Sequence, residues 1–219
     1  MFGKNPKRKI ETGEGIELKI QDIFATIQGE GPYTGFPAVF IRVGGCNLAC
    51  SFCDTEFESF KIMSLQDIIS RVKKSIEGIN CNLCVITGGE PFRQPIGPLC
   101  NKLLEIGLNV QVESNGTLFQ EIPKKVEVVC SPKITNGKYY KIREDLEPYI
   151  IAYKFLVSKN MEYYNYIPKW DFKNKKVYIQ PIDQYNQVEN IENMQFAMEI
   201  TNKTGYILSL QTHKILDIK

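Results

Sequence analysis

Three cysteines fall within one short stretch, Cys46-Asn47-Leu48-Ala49-Cys50-Ser51-Phe52-Cys53. Thiolates at C-x-x-x-C-x-x-C spacing on a single loop can hold three irons of a [4Fe–4S] cluster. Four cysteines would close such a cluster and suit electron transfer. Three leave one iron open to a small molecule. Zinc is the competing reading, and it usually takes four ligands, often from paired C-x-x-C or with histidine. Cys81 and Cys84 form a half-site of that kind. Gly44 and Gly45, just before the loop, let the backbone turn tightly and approach a bulky group.

A second polar cluster, Gly88-Gly89-Glu90-Pro91, follows the short apolar run Leu83 to Thr87. Two glycines expose carbonyls and Glu90 adds an acceptor, a set that suits an α-ammonium group. Arg42 stands in the apolar run Ala38 to Val43 and needs a partner. That partner is either a buried carboxylate of the chain or an anionic ligand, since a guanidinium fork matches a carboxylate. Ser114 and Ser131-Pro132-Lys133 end the next two strand-like runs, as site residues or as ordinary loop polarity.

The cysteine spacing, with Phe52 before the third cysteine, resembles the radical S-adenosylmethionine (SAM) enzymes. The whole layout resembles the 7-carboxy-7-deazaguanine synthase family within them. The matching residues are Thr26-Ile27-Gln28-Gly29-Glu30-Gly31, Cys53-Asp54-Thr55, Thr87-Gly88-Gly89-Glu90-Pro91, Ser131-Pro132-Lys133 and Gln211-Thr212-His213-Lys214. They run from about Ile16 to Lys214. The resemblance implies conversion of 6-carboxy-5,6,7,8-tetrahydropterin to 7-carboxy-7-deazaguanine with loss of ammonia, on the route to queuosine. It implies a lyase in which a SAM-derived radical takes a hydrogen from C6 of the pterin, the ring contracts and the hydrogen returns.

The same resemblance distributes the roles. Cys46, Cys50 and Cys53 would hold the cluster. Phe52, Cys53, Asp54, Gly89, Glu90, Ser114, Ser131, Pro132 and Lys133 would surround SAM. Ile27, Gln28, Gly29, Glu30 and Thr87 would border the pterin, and Arg42 would pair with its carboxylate. Thr55, by itself a turn hydroxyl, would ligate Mg²⁺, an oxygen-preferring ion. The partners implied are an electron donor such as flavodoxin or ferredoxin and a second copy of the chain. A rival within the superfamily is an activating enzyme that installs a glycyl radical on a large protein. The Gln28-to-Gly31 loop with Arg42 favours a small carboxylated substrate instead.

Composition limits the alternatives. A net charge of +2 gives no footprint for nucleic acid or an anionic membrane. No apolar run approaches a membrane span. Met1 to Lys9 is basic without an apolar stretch, so it does not read as a signal peptide. Seven cysteines, an odd number, suit a reducing, cytoplasmic setting. Cys81, Cys84, Cys100 and Cys130 are core thiols or, if they converge, a second cluster. The single histidine, His213, disfavours histidine-rich metal sites. It either reaches the substrate or lies on the surface.

The elements that must position these residues alternate. Residues 1–14 are polar and expected to be loose, and 15–219 form one domain. Strands are expected within Ile16–Ile27 and over Ala38–Val43, Leu83–Thr87, Leu108–Val112, Val126–Cys130, Ile150–Val157, Lys175–Ile179 and Tyr206–Leu210. Helices are expected from Ser64, which with Asp67 resembles a capping box, over the run containing Leu99 to Ile106, and over the run whose apolar positions are Val188, Ile191, Met194 and Met198. Lys133 to Pro148 reads as an irregular crossover. Tyr139, Tyr140, Tyr163, Tyr164 and Tyr166 read as a dimer contact or a cover for the sheet. The fold class is α/β, a partial, open TIM-type barrel of about six mainly parallel strands. Its sites belong at the C-terminal strand ends.

Overall fold

The computed structural model describes residues 5–218. Alternation along each strand decides what faces what. In β2 (Pro37–Val43), Val39, Ile41 and Val43 point into the main core, and Ala38, Phe40 and Arg42 point the other way. The same parity holds in β4 (Leu83–Gly88): Cys84 and Ile86 face the main core, while Leu83 and Val85 pack with Ala38. The outer face is apolar along its whole length. The inner face begins as an apolar floor of Ala38, Leu83, Val85, Tyr33 and Phe40. It turns polar towards the C-terminal strand ends, at Arg42 and Thr87.

The other strands are β1 (Glu17–Ile27), β3 (Lys61–Ser64), β5 (Asn109–Ser114), β6 (Glu127–Cys130), β9 (Ile150–Val157), β10 (Lys176–Pro181) and β11 (Ile207–Leu208). The sheet order is β11-β10-β9-β6-β5-β4-β2-β1-β3. From β2 to β11 every neighbour is parallel, and β1 runs antiparallel to both β2 and β3. The sheet is open, with β3 and β11 as its edges. It curls enough that Gly31 N, after β1, donates to Ser209 Oγ, after β11, at 3.1 Å.

Three helices pack on the outer face: α1 (Leu65–Ser75), α2 (Gly97–Glu105) and α3 (Gln187–Thr204). Ser64 caps α1 by accepting from Asp67 N at 3.1 Å. The apolar stripe expected to bury α3 does not: Val188, Ile191, Met194 and Met198 are exposed. The inward face carries Ala197 and Asn193 instead. Asn193 donates to Ile182 O and Gln184 Oε1 and accepts from Lys159 N, each at 2.9 Å. A buried amide with all its bonds made outweighs a hydrophobic stripe in setting the helix rotation.

Three features escape the periodicity. The crossover after β6 is a hairpin, β7 (Ile134–Thr135) and β8 (Lys138–Tyr139), turned by Asn136 and Gly137 at positive φ. β3 extends the sheet beyond β1. A short helix, α4 (Thr212–Ile215), follows β11. The polar segment before β1, expected to be loose, is tied down where it is described. Arg8 N donates to Cys46 O at 2.7 Å and Glu11 N to Arg93 O at 2.7 Å.

Candidate functional site

A cavity of about 440 Å³ opens at the C-terminal ends of the parallel strands. Its walls come from β1, β2, β4, β5, β9 and β10, the loop at 46–57, and α4. The cysteine loop leaves β2 and turns over the cavity mouth. Cys46, Cys50 and Cys53 all line it and are free thiols. Burial pushes the Cys46 thiol up to about 12, helped by the nearby Glu90, and burial also raises Cys50 and Cys53. Alone, these groups stay protonated. Metal ligation needs thiolates, so a positive metal centre must displace the protons. Among the described residues no three His, Cys, Asp or Glu side chains converge tightly enough for a single ion. Three thiols spread around one cavity fit a multi-iron cluster, which takes each on a separate iron.

The glycine turn after β4 is the scaffold beneath that loop. A Cβ on Gly89 would lie 2.0 Å from Gly45 O, so only glycine lets the two backbones meet. Glu90 N donates to Gly45 O at 3.1 Å. The Glu90 side chain does not reach the cavity. It is fully buried and accepts from Phe92 N (3.1 Å), Ser114 Oγ (2.9 Å) and Asn115 N (2.7 Å). Burial pushes its carboxyl up to about 7 despite those donors. Pro132 also stays off the cavity surface, whereas Ser131 and Lys133 line it. Lys133 curls back to donate to Ser131 O and Ser131 Oγ, each at 2.7 Å. Burial pulls its pKa down, and no carboxylate is paired with it among the described residues.

The opposite wall is charged. Lys154, in mid-β9, pairs with Glu30 and with Glu113 Oε2, the latter at 3.0 Å. Burial would raise the Glu30 carboxyl, but the Lys154 charge and the Gln211 amide hold it at about 2. Burial opposes the Lys154 charge, and Glu113 and Glu30 overcome it, raising its pKa. Gln28 Nε2 donates to Glu113 Oε1 at 3.1 Å and Gln211 Nε2 to Glu30 Oε1 at 3.0 Å. Arg42, by contrast, has a buried Nε that donates to nothing among the described residues. Its guanidinium lies 5.6 Å from the centre of the Phe24 ring and faces the cavity. Of the two partners considered for Arg42, no carboxylate of the chain pairs with it among the described residues.

Beyond Glu90 and Pro132, every residue given a role at the cluster, SAM, the pterin or Mg²⁺ lines this one cavity: Ile27, Gln28, Gly29, Glu30, Arg42, Phe52, Asp54, Thr55, Thr87, Gly89, Ser114, Ser131 and Lys133 join the cysteines. Thr55 Oγ1 donates to Asp54 Oδ1 at 3.2 Å. His213 lines the cavity too, packed on Gly29. Lys154, Glu113, Asp183 and Lys214 carried no assigned role. Lys154 had a visible signal, a charge inside an apolar strand, the same one that marks Arg42. Lys214 joins Asp54 (2.8 Å) to Asp183 (2.7 Å), a contact over long separations that no local pattern announces. Cys84 and Cys100 sit in the main core, and Cys130 lies under Gly116, which is the core-thiol alternative.

Comparison with known proteins gives the following. Residues 40–131 match the model of the Radical SAM superfamily. The chain is 52% identical to the 7-carboxy-7-deazaguanine synthase of Rickettsia prowazekii, covering 100% of this chain and 96% of that one. It is 36% identical to the synthase of Rhodospirillum rubrum, covering 100% of both. The crystal structure of QueE from Escherichia coli superposes with a TM-score of 0.73 at 25% identity, covering 90% of this chain and 95% of that one.

Proposed function

The chain belongs to the 7-carboxy-7-deazaguanine synthase family of radical SAM enzymes, and from that premise we propose how its cavity performs the reaction. It converts 6-carboxy-5,6,7,8-tetrahydropterin to 7-carboxy-7-deazaguanine with loss of ammonia, within 7-deazapurine and queuosine biosynthesis. Activation of a glycyl-radical protein is not favoured, because the full-length relatives carry the small-molecule activity in their names. One observation carries the reading: three free thiols and a buried Arg42 Nε without a hydrogen-bond partner among the described residues share a single cavity.

Cys46, Cys50 and Cys53 would hold the [4Fe–4S] cluster, with SAM bound in the same cavity. Bound together, these groups supply reversible hydrogen-atom abstraction. The protein binds, orients and shields. Carbonyls of the Gly88-Gly89 turn accept from the SAM ammonium. Lys133, an ammonium whose pKa burial lowers and which has no carboxylate partner among the described residues, would meet the SAM carboxylate. Phe52, Asp54, Ser114 and Ser131 complete that half. Arg42 pairs with the pterin carboxylate, which gives its Nε the acceptor it lacks. Ile27, Gln28, Gly29, Glu30 and Thr87 border the ring. Thr55 Oγ1, with solvent, would ligate Mg²⁺. The Lys154–Glu30–Glu113 network fixes the far wall before substrate arrives, so its orientation is not rearranged during reaction.

A flavodoxin- or ferredoxin-type donor would supply the electron to the cluster. The working unit is a homodimer, supported by the exposed apolar stripe of α3, Val188 to Met198. Sedimentation at micromolar concentration checks this, and a monomer would refute it. No helix among the described residues is long and apolar enough to cross a membrane. The free cysteines suit the reducing cytoplasm.

The deciding experiment is anaerobic. The chain is reconstituted with iron and sulfide, reduced, and given SAM, Mg²⁺ and the carboxypterin, with product followed by mass. Many turnovers per SAM are expected. SAM cleavage without deazaguanine would overturn the substrate assignment. Omitting Mg²⁺ without loss of rate would remove the Thr55 site.

A further inference from the structure

The described part of the N-terminal segment has no part in the chemistry above, yet residues 5–8 touch the cysteine loop at Cys46 and Cys53. Asn5 Nδ2 donates to Cys53 Sγ at 3.8 Å and to Thr55 O at 2.9 Å. Lys7 forms a parallel bridge with Cys46, and Arg8 N donates to Cys46 O at 2.7 Å. That bridge brings Lys7, a cation, alongside the cysteine loop.

Separate anchors hold the segment in place. Arg8 pairs with Glu58. Arg93, fully buried, donates from Nη1 to Glu11 Oε1 at 2.6 Å and to Lys9 O at 3.3 Å. Its Nη2 donates to Gly44 O at 2.7 Å. One guanidinium therefore clamps the segment to the root of the cysteine loop.

We propose that residues 5–11 are a strap belonging to the cluster site, in which Asn5 and Lys7 raise the cluster's reduction potential and the strap slows its loss. The proposal rests on the radical SAM reading. Reduction adds negative charge to the cluster and its sulfurs. A donor on a ligand sulfur, or a cation beside it, stabilises the reduced state more than the oxidised one. Asn5 acts through a direct hydrogen bond. Lys7 is exposed, so solvent and salt screen its charge and its share is the smaller.

The test is an EPR-monitored redox titration of the reconstituted full chain, with iron counted and cluster loss to a chelator timed. Asn5→Ala is expected to move the midpoint negative, and Asn5→Asp, which replaces the donor with a charge, further negative. Lys7→Gln is expected to move it by less than Asn5→Ala. Chelator-driven loss should be several-fold faster in Asn5→Ala, with unfolding of the cluster-free chain unchanged. Wild-type potential and wild-type loss rate in both Asn5 variants, each with four irons bound, would overturn the strap. A wild-type chain that takes up no iron and sulfide would instead sink the reading it rests on.

Discussion

The two walls of the cavity are built in opposite ways. The cluster wall is one loop, with its three thiols inside the stretch from Cys46 to Cys53. The charged wall draws Glu30, Glu113 and Lys154 from the loop after β1, from β5 and from β9. The first is assembled locally and, without iron, makes little of its own stability, since its thiols stay neutral and mostly donate to nothing strong. The second is assembled only by folding, and a buried ammonium and two half-buried carboxylates then depend on one another. Removing a ligand should therefore cost chemistry, and removing a charge should cost the fold.

The largest effect expected follows on the first wall. Cys50→Ala should drop product formation to background and bound iron below four per chain. The cluster-free protein should keep its stability to within about 1 kcal/mol. Iron analysis and urea unfolding of the apo chain check the two halves, and marked destabilisation of the apo chain would break the comparison. On the second wall, Lys154→Met leaves two carboxylates facing each other without a cation. Breaking a buried pair in this way costs about 3–5 kcal/mol, and urea unfolding at neutral pH should show it.

Much of this was legible in the sequence, for reasons that differ by region. The cysteine loop and the glycine turn are contiguous, so their chemistry is written in spacing. The parallel strands are short apolar runs that end in polar residues, and parity along β2 and β4 places Arg42 and Thr87 inside. What lay hidden depends on contacts between distant segments. Glu90 looks like a ligand beside two glycines, yet Ser114 and Asn115, from the next strand end, claim its oxygens. The α3 stripe looks like a buried face, yet Asn193 finds its partners on the other side. The N-terminal segment looks unstructured because nothing near it in sequence explains its place; Arg93 does.

Acid should separate the walls more finely. Glu30 sits at about 2 in the folded chain against roughly 4.3 unfolded. Its contribution is therefore complete above about pH 4.3 and is lost as pH falls towards 2. Lys154, raised in the folded chain, keeps its contribution up to about pH 10.4 and loses it only above that. The pair should give a plateau between these limits and an acid loss of roughly 3 kcal/mol. Lys154→Met should flatten the acid limb, because Glu30 then loses the main cause of its depression. An unchanged limb in that variant would mean that Gln211, not the cation, holds the carboxylate.

The smallest effect tests where the charged wall meets α4. Gly29 is not in the left-handed region, so alanine there carries no backbone strain, only a problem of space. An added Cβ would fall 2.5 Å from His213 Nδ1 and 2.8 Å from His213 N. A side chain can swing aside, but the second atom is backbone, so α4 itself must retreat. Thr212 N donates to Gly29 O at 3.1 Å, and that bond opens with it. Gly29→Ala should cost about 1–3 kcal/mol as overpacking and raise KM for the pterin roughly tenfold, about 1.4 kcal/mol of binding, with kcat much less affected. That split matters, since a cavity merely loosened everywhere would lose both. A fall in kcat at unchanged KM would place α4 outside the substrate's wall and leave Glu30, Glu113 and Lys154 to define it alone.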